Sequence, residues 1–151
     1  MSSSVSDVEE KTSSSEAMAL ARDAQSVDWW LQSLVSLANN SQIEFGITLN
    51  VEGLVVSGLL VSGRKYFELF AQEFATSLPC DSEETEDYIR EKFAGNADIY
   101  DTDAEDPPNF IHLTNCRFFG QGGLIPSNKG VLWRGKIETV SGFNLGVLQA
   151  N

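Results

Sequence analysis

Strict alternation of apolar and polar residues over residues 43–51 is the feature that most restricts the fold of this chain. Every second residue is apolar and would share one face of an extended strand: Ile43, Phe45, Ile47, Leu49 and Val51. Glu52-Gly53 follows as a turn signal in which glycine supplies the positive φ, and the apolar run 54–63 comes next. The sequence therefore predicts a β-hairpin. Its second strand is apolar on both faces, which indicates a central position in a sheet or a covering helix.

The last third of the chain contains three more segments with strand patterns, 109–119, 131–139 and 143–149. In the middle one, alternation separates a face that we expect to be buried from a polar face: Val131, Trp133, Gly135 and Ile137 against Leu132, Arg134, Lys136 and Glu138. We expect residues 120–130 to form a loop and Ser141-Gly142 to form a tight turn. These strands are predicted to be a scaffold that holds the core together.

An N-terminal helix is predicted over residues 27–39, with Ser26 as its N-cap and Asn39-Asn40 as its left-handed exit. Its apolar residues recur at three- and four-residue spacing: Val27, Trp30, Leu31, Leu34, Leu37 and Ala38. Trp29 cannot lie on the same stripe as Trp30. We interpret Trp29 as a candidate residue for contact with a partner.

Two further helices are predicted after the hairpin. Residues 64–78 carry aromatic side chains at helical spacing, which we interpret as packing rather than as a ligand site, and Pro79 ends this helix. The next helix begins at a cap provided by Asp81 or Ser82 and ends near Ala94. Its apolar stripe is thin, which predicts a surface position.

The order of one helix, two strands, two helices and three strands predicts the α+β class. We expect an antiparallel sheet of about five strands, with the two later helices inserted between strands two and three. The same plan would allow the sheet to curl into an SH3-like or Sm-like small barrel. Residues 1–25 are rich in serine and acidic residues and are predicted to be a disordered tail, in which 16–25 could become helical against a partner. Residues 26–151 are predicted to form one domain.

The charge of the chain disfavours several classes of partner. There are 22 acidic and 10 basic residues, giving a net charge of −12 and a sequence pI near 4.3. This balance repels phosphate backbones and anionic lipids. No apolar run reaches the roughly 20 residues of a membrane-spanning helix, and no secretory signal is recognisable. With two cysteines, Cys80 and Cys116, we expect free thiols in a reducing cytoplasm.

No metal site is predicted. Asp101, Asp103 and Glu105 alternate as the first ligands of a calcium-binding loop do. However, Asp106 occupies the position that requires glycine, and His112 occupies the position of the bidentate glutamate. We therefore interpret this stretch as a solvated acidic loop.

No catalytic or cofactor-binding residue is predicted either. His112 is the only histidine, and on an extended strand it would lie roughly 13 Å from Cys116, too far for proton transfer. GQGG at 120–123 lacks the lysine and the helix of a phosphate-binding loop.

Arg134 and Lys136 on the polar face of one strand allow two interpretations. They could pair with acidic residues on neighbouring strands. Alternatively, they form a small basic patch suited to an acidic protein surface. The candidate partner-contact residues are therefore Trp29, Arg134 and Lys136.

Four segments, taken in order, resemble the gas-vesicle accessory protein U family: ITLNVEGLVVSG (47–58), FIHLTN (110–115), LWRGKIETVSGF (132–143) and FNLG (143–146). The resemblance spans residues 43–148. It implies a non-enzymatic, cytoplasmic, gas-vesicle-associated protein that acts in vesicle assembly or clustering. Its implied partners are the vesicle shell, other accessory proteins and further copies of itself. It implies no catalytic residue and no cofactor.

A second resemblance concerns the strand plan. An N-terminal helix, TLNVEGLVVSGLLVS and then WRGKIETV before a final strand is similar to the plan of Sm-like barrels, which often bind RNA. The alternative function is thus a small-barrel RNA-binding or RNA-chaperone module. The net charge of −12 and the lack of a basic-aromatic platform count against it. An unrecognised enzyme is the third hypothesis, disfavoured because nucleophile–base spacing is missing.

Overall fold

The computed structural model describes residues 14–21, 23–79, 82–100 and 106–149. The helices within these ranges are α1 (residues 14–21), α2 (Trp29–Ser41), α3 (Gly63–Ser77) and α4 (Glu83–Ala94), with 3-10 turns at Gly95–Tyr100 and Ile137–Thr139. The strands are β1 (Phe45–Val51), β2 (Leu54–Val61), β3 (Phe110–Gly120), β4 (Gly123–Ile125), β5 (Val131–Lys136) and β6 (Val140–Leu145). The predicted α+β class is confirmed, as is the insertion of two helices between the second and third strands.

All strand pairs in the six-stranded sheet are antiparallel. The order is β4-β3-β2-β1-β6, and β5 shares the free edge of β3 with β4. β5 and β6 follow each other in sequence but lie at opposite edges, and no ladder joins them in the described ranges. The sheet is therefore not closed into a barrel, which corrects the expectation that it could curl that far.

The predicted hairpin between β1 and β2 is confirmed. Glu52 and Gly53 both have positive φ, 53° and 91°, as a two-residue turn with the twist of the flanking strands requires. The Gly53 N–H donates to Asn50 Oδ1 at 3.0 Å. β2 lies in the interior of the sheet between β1 and β3, as its two apolar faces predicted.

The ends of α2 differ from the predicted ones. Asp28 is the N-cap instead of Ser26, and its carboxylate accepts the N–H groups of Trp30 and Leu31 at 3.0 and 3.1 Å. A carboxylate competes well for this position because it also faces the positive end of the helix dipole. The left-handed exit lies at Gln42, with φ 58°, and not at Asn39-Asn40.

The buried stripe of α2 also differs from the predicted one. Leu31, Val35 and Ala38 are fully buried, whereas Trp30 and Leu37 keep 55% and 45% of their surface exposed. α2 meets the sheet along one side only, so a single contact cannot bury all the apolar residues of a helix with so wide an apolar arc. The main core lies under this contact, between α2 and one face of the sheet.

Serine residues cap the two inserted helices. Ser62 and Ser82 cap α3 and α4 by accepting the N–H groups of Lys65 and Thr85.

Aromatic residues join these two helices. Phe74 stacks on Phe70 and meets Phe93 edge-on, with ring centroids 5.7 and 5.0 Å apart. These contacts support the interpretation of the aromatic stripe as packing.

The C-terminal region contains three corrections. β4 lies inside the predicted loop 120–130, because eleven-residue β3 leaves room for a second short strand beside β5. The corner after β5 is the 3-10 turn, and Ser141-Gly142 lies within β6, where Gly142 pairs with Asn50. Val131 is 42% exposed because it pairs at the end of β5, beyond a bulge in β3.

The last described residues leave the sheet register and cross the face of the sheet opposite α2, which we call its second face. Gly146 has φ +102°, its carbonyl accepts the Thr48 hydroxyl at 2.8 Å, and the Leu148 N–H donates to Ser57 Oγ at 2.8 Å. The predicted strand 143–149 therefore ends at Leu145. This crossing covers two polar side chains that would otherwise face solvent.

Three predictions reach beyond the described ranges. The disordered tail over 1–25 and the single domain over 26–151 stay predictions, although α1 within that tail is helical and exposed. The acidic loop at Asp101, Asp103 and Glu105 lies outside the described residues, as does Cys80.

Candidate functional site

Arg134 on β5 is placed by the register of the sheet opposite His112 on β3. Its Nε–H donates to His112 Nε2 at 3.2 Å. His112 alternates with core residues Ile111 and Leu113, so it points to the second face of the sheet, where it is fully buried. Arg134 itself remains exposed. A buried acceptor thus anchors the base of an exposed guanidinium group.

Phe110 fixes the same guanidinium from a second direction. Arg134 Cζ lies 3.6 Å from the centroid of the Phe110 ring, and 5.7 Å from that of Phe67 on α3. A cation over an aromatic face is stabilised by the ring quadrupole and by the weak hydration of guanidinium. Arg134 is therefore held in one orientation before any partner arrives.

An aromatic wall surrounds His112. The rings of Tyr66, Phe67 and Tyr100 lie 4.7, 5.9 and 5.7 Å from the imidazole, measured between centroids. Tyr100 comes from the 3-10 turn after α4 and packs flat on Gly63 at the start of α3. A Cβ at Gly63 would lie 2.3 Å from Tyr100 Cζ, so only glycine allows this approach.

The pKa values of these groups keep the cluster in one protonation state near neutral pH. Burial, with the nearby charge of Arg134, lowers the pKa of His112 to about 3. Burial raises the pKa values of Tyr66 and Tyr100, while Arg134 opposes the rise. Because neutral His112 accepts through Nε2, its proton resides on Nδ1, which has no partner among the described atoms. Neutral His112 acts as a hydrogen-bond acceptor and holds Arg134 in place.

Cys116 does not supply a reactive thiol. It is fully buried, and burial raises its pKa to about 12. A thiol in that state is a poor nucleophile. The sequence argument against a dyad of Cys116 and His112 is consistent with these surroundings, since alternation across the bulge puts Cys116 in the main core and His112 on the second face.

Lys136 lies next to Arg134 on the same face and pairs with Phe110. Across the described part of the chain, neither cation forms an ion pair. Their cross-strand neighbours are His112 and Phe110, so the expected pairing with acidic residues is not formed there. We call Arg134 and Lys136, with the Phe110 ring between them, the basic patch.

Trp29 lies near the basic patch. It is half-buried, its indole N–H donates to the Asp23 carboxylate, and it lines a groove of about 510 Å³. A second groove of about 320 Å³ is lined by Lys136 and Phe110. Both grooves share Val27 and Glu138 in their walls. Trp29 and Lys136 therefore line adjoining grooves, whereas Arg134 lines neither of them.

Sequence reasoning missed the residues that hold Arg134. The polar alternation of β5 identified the cation, but Phe110, Tyr100 and the acceptor role of His112 depend on strand register and on how α3 folds back. The sole usable signal was the alternation of Phe110 and His112 on one face of their strand. It gave no information on which strand would pair with them.

The described residues contain neither a cluster of metal-ligating side chains nor a membrane-spanning helix. No three histidine, cysteine or acidic side chains among the described residues approach closely enough to hold a metal ion. No helix in the described ranges combines the length and the apolar character needed to cross a membrane.

A family model described as gas vesicle protein GvpU-like matches residues 28–148. The match begins at the N-cap of α2 and ends three residues after β6, so it covers every strand of the sheet. Comparisons with curated proteins and with solved structures gave no match.

Proposed function

The chain belongs to the GvpU-like family of gas vesicle proteins, and from that premise we propose that it is a non-enzymatic accessory protein acting through protein–protein contacts. The contacts serve vesicle assembly or clustering in the cytoplasm. Its partners are the vesicle shell or other accessory proteins, together with further copies of the chain. No cofactor takes part.

The observation that carries the contact proposal is the preorganised Arg134. Its Nε is bonded to His112 and its face is stacked on Phe110, yet no carboxylate in the described ranges neutralises it. Guanidinium recognises carboxylates with two parallel hydrogen bonds, and little side-chain entropy is lost when the group is already fixed. We therefore assign the basic patch as the surface that binds an acidic group on a vesicle protein.

A flotation experiment tests this assignment. Gas vesicles rise in a centrifugal field and carry bound protein with them, so the bound fraction can be measured against protein concentration. We expect Arg134→Ala to weaken binding by about tenfold, the scale of one charge-assisted bidentate contact. Arg134→Lys keeps the positive charge but loses the forked N–H donors of the guanidinium group. Its affinity for vesicles should therefore lie between those of wild type and Arg134→Ala.

Lys129→Ala is the matched control. Lys129 is exposed, forms no ion pair within the described residues, and its loss changes the net charge as Arg134→Ala does. Equal binding by the two alanine variants would overturn the assignment to the basic patch.

In cells, deletion of the protein should change vesicle number or clustering. Vesicles unchanged in both respects would overturn the accessory role.

RNA binding remains the alternative from the strand plan. The charge of −12 opposes it, and the Phe110 face that could stack on a base is already covered by Arg134. A gel shift with single-stranded RNA at low salt should show no complex. A complex that forms at low salt and persists at physiological salt would favour the RNA function instead.

A further inference from the structure

β5 is an edge strand, and its outer edge has no partner strand among the described residues. The strand pairs with β3 alone, in the register that sets Arg134 opposite His112 and Lys136 opposite Phe110. An edge strand presents a row of unpaired N–H and C=O groups, which is a template for another extended chain. β5 thus carries an open backbone edge beside the basic patch.

The backbone groups of the residues that carry the cations point to this outer edge. The Ile137 N–H donates to the Asn109 carbonyl at 2.9 Å, so the backbone of Ile137 faces β3. Hydrogen-bonded and non-hydrogen-bonded pairs alternate along an antiparallel ladder. The residues of β5 whose N–H and C=O groups face outward are therefore Lys136, Arg134 and Leu132.

The open edge ends at Lys136. Its carbonyl accepts the Thr139 hydroxyl at 2.7 Å, from the 3-10 turn that follows β5. The groups that remain for a partner strand are the N–H of Lys136 and both backbone groups of Arg134 and Leu132. A short ladder over these three residues is therefore possible without displacing a hydrogen bond of the chain.

The side chains of the outward residues favour an acidic partner strand. Residues two apart in a strand share one side, so Arg134 and Lys136 stand on the same side about 7 Å apart. Both are exposed, and neither forms an ion pair within the described part of the chain. A residue directly opposite on an added strand has its side chain on the same side. Carboxylates at alternate residues of that strand would each meet one cation.

The other side of β5 favours an apolar residue between the two acidic ones. Trp133 and Gly135 alternate with the cations, and the Trp133 ring lies over Gly135, where a Cβ would be 2.2 Å from Cη2. Trp133 is half-buried, so part of its surface remains uncovered. An apolar side chain opposite Gly135 would lie beside this ring and cover more of it.

We infer that the outer edge of β5 binds an extended acidic segment of another protein, which adds to the sheet as one more antiparallel strand. The segment carries Asp or Glu at two alternate residues, opposite Arg134 and Lys136, with an apolar residue between them. Main-chain hydrogen bonds supply affinity in this mode, and alternate side chains supply specificity. The inference rests on the proposed function, since it states how the acidic group of a vesicle protein reaches the basic patch.

The charges at this edge disfavour a second copy of the chain as the added strand. If two β5 strands paired antiparallel, Arg134 and Lys136 of one copy would lie close to the same cations of the other, and like charges in such positions are destabilising. β6, at the opposite edge of the sheet, has the sequence VSGFNL and would leave both cations unpaired. The two cations thus act against these self-pairings and select for carboxylates.

Peptide binding to the full chain tests the inference. The probe is a capped peptide, Thr-Asp-Val-Glu-Val-Thr, and isothermal titration calorimetry measures its affinity. In the inferred pairing, the N–H groups of its Asp and Glu point to β5, whereas those of its two valines point away. N-methylation of the Asp and Glu amides should weaken binding at least about tenfold, the scale of two lost hydrogen bonds. The peptide methylated at both valines is the matched control and should bind as the unmodified peptide does.

Leu132→Pro tests the edge from the protein side. Proline removes the outward N–H of residue 132 and keeps both cations, and edge strands tolerate proline where the N–H faces away from the sheet. It should weaken peptide binding by about fivefold, the scale of one lost hydrogen bond. Leu132→Ala loses the side chain alone and should bind as wild type does. Circular dichroism checks that both variants remain folded.

Failure of the inference and failure of the proposed function give different results. No binding of the unmodified peptide overturns the inference, as does equal affinity of the two methylated peptides, since charge attraction alone would then explain the binding. Vesicle binding that is lost in Arg134→Ala but unchanged in Leu132→Pro keeps the proposed function and overturns the added strand. Vesicle binding that is unchanged in Arg134→Ala overturns the proposed function, and the methylated peptides then decide the inference by themselves.

Discussion

Arg134 Nε donates a hydrogen bond to Nε2 of His112, a histidine with no exposed surface. The pair joins β5 to β3 and connects the second face of the sheet to solvent through a single side chain. Because His112 is neutral, it does not offset the positive charge of Arg134. The aromatic residues around both groups restrict the orientation of the guanidinium group. This arrangement distinguishes Arg134 from Lys129, an exposed cation that forms no ion pair among the described residues.

The buried imidazole predicts a specific pH dependence of stability. His112 has a pKa of about 3 in the folded chain, whereas an unfolded histidine titrates near 6.5. Between these values the unfolded chain binds the proton and the folded chain does not. The free energy of unfolding should therefore fall as pH drops through this window, by about 1.4 kcal/mol per pH unit.

Urea unfolding at about pH 7 and about pH 5 measures the effect against a His112→Gln variant. Glutamine can still accept from Arg134 but has no titration, so its loss of stability between the two pH values should be smaller than that of wild type. Equal losses would show that His112 does not contribute.

Gly63→Ala should destabilise the protein by about 1–3 kcal/mol, because the new Cβ would lie 2.3 Å from Tyr100 and the ring cannot retreat without leaving His112. Gly95→Ala is the control, since nothing lies within 4 Å of its Cβ position and its φ of −58° suits alanine. Chemical denaturation compares them. Equal stability of the two variants would contradict the close packing of Tyr100 on α3.

Gly135→Ala tests the packing of the Trp133 ring over Gly135, which lies two residues further along the same strand. A Cβ there would lie 2.2 Å from Cη2 of Trp133, whose ring packs against the main core. We expect a loss of about 1–3 kcal/mol and a changed near-UV circular dichroism spectrum. Gly142→Ala in β6 meets nothing within 4 Å and should change neither quantity. A silent Gly135→Ala would mean that Trp133 does not lie over this glycine.

Asp28→Ala should cost about 1 kcal/mol, the usual value of an N-cap, because two helix N–H groups lose their acceptor. Ser26→Ala should lie within about 0.5 kcal/mol of wild type. Asp28→Asn keeps the acceptor and should recover most of the loss. The reverse order, with Ser26→Ala the more damaging change, would restore the cap predicted from sequence. Thermal unfolding of the three variants decides between them.

The helices and strands were largely predictable, because their signals are local. The hairpin at Glu52-Gly53 and the cap Ser82 depend on residues close together in sequence. The wrong predictions also concern short segments, but their cause lies in how those segments pack in the tertiary structure. β4 is too short to carry a pattern, and the buried stripe of α2 depends on which side the sheet approaches.

The sequence by itself determined the α+β class, the hairpin, the insertion of two helices, the family resemblance and the identity of the two cations on β5. Only the tertiary structure decided that Arg134 would meet His112 and Phe110, and that Trp30 and Leu37 would stay exposed. The physical reason is range. Alternation and capping act within a few residues, whereas the pairing of β3 with β5 joins residues 22 positions apart, and the contact of α2 with the sheet selects among several equally apolar sides.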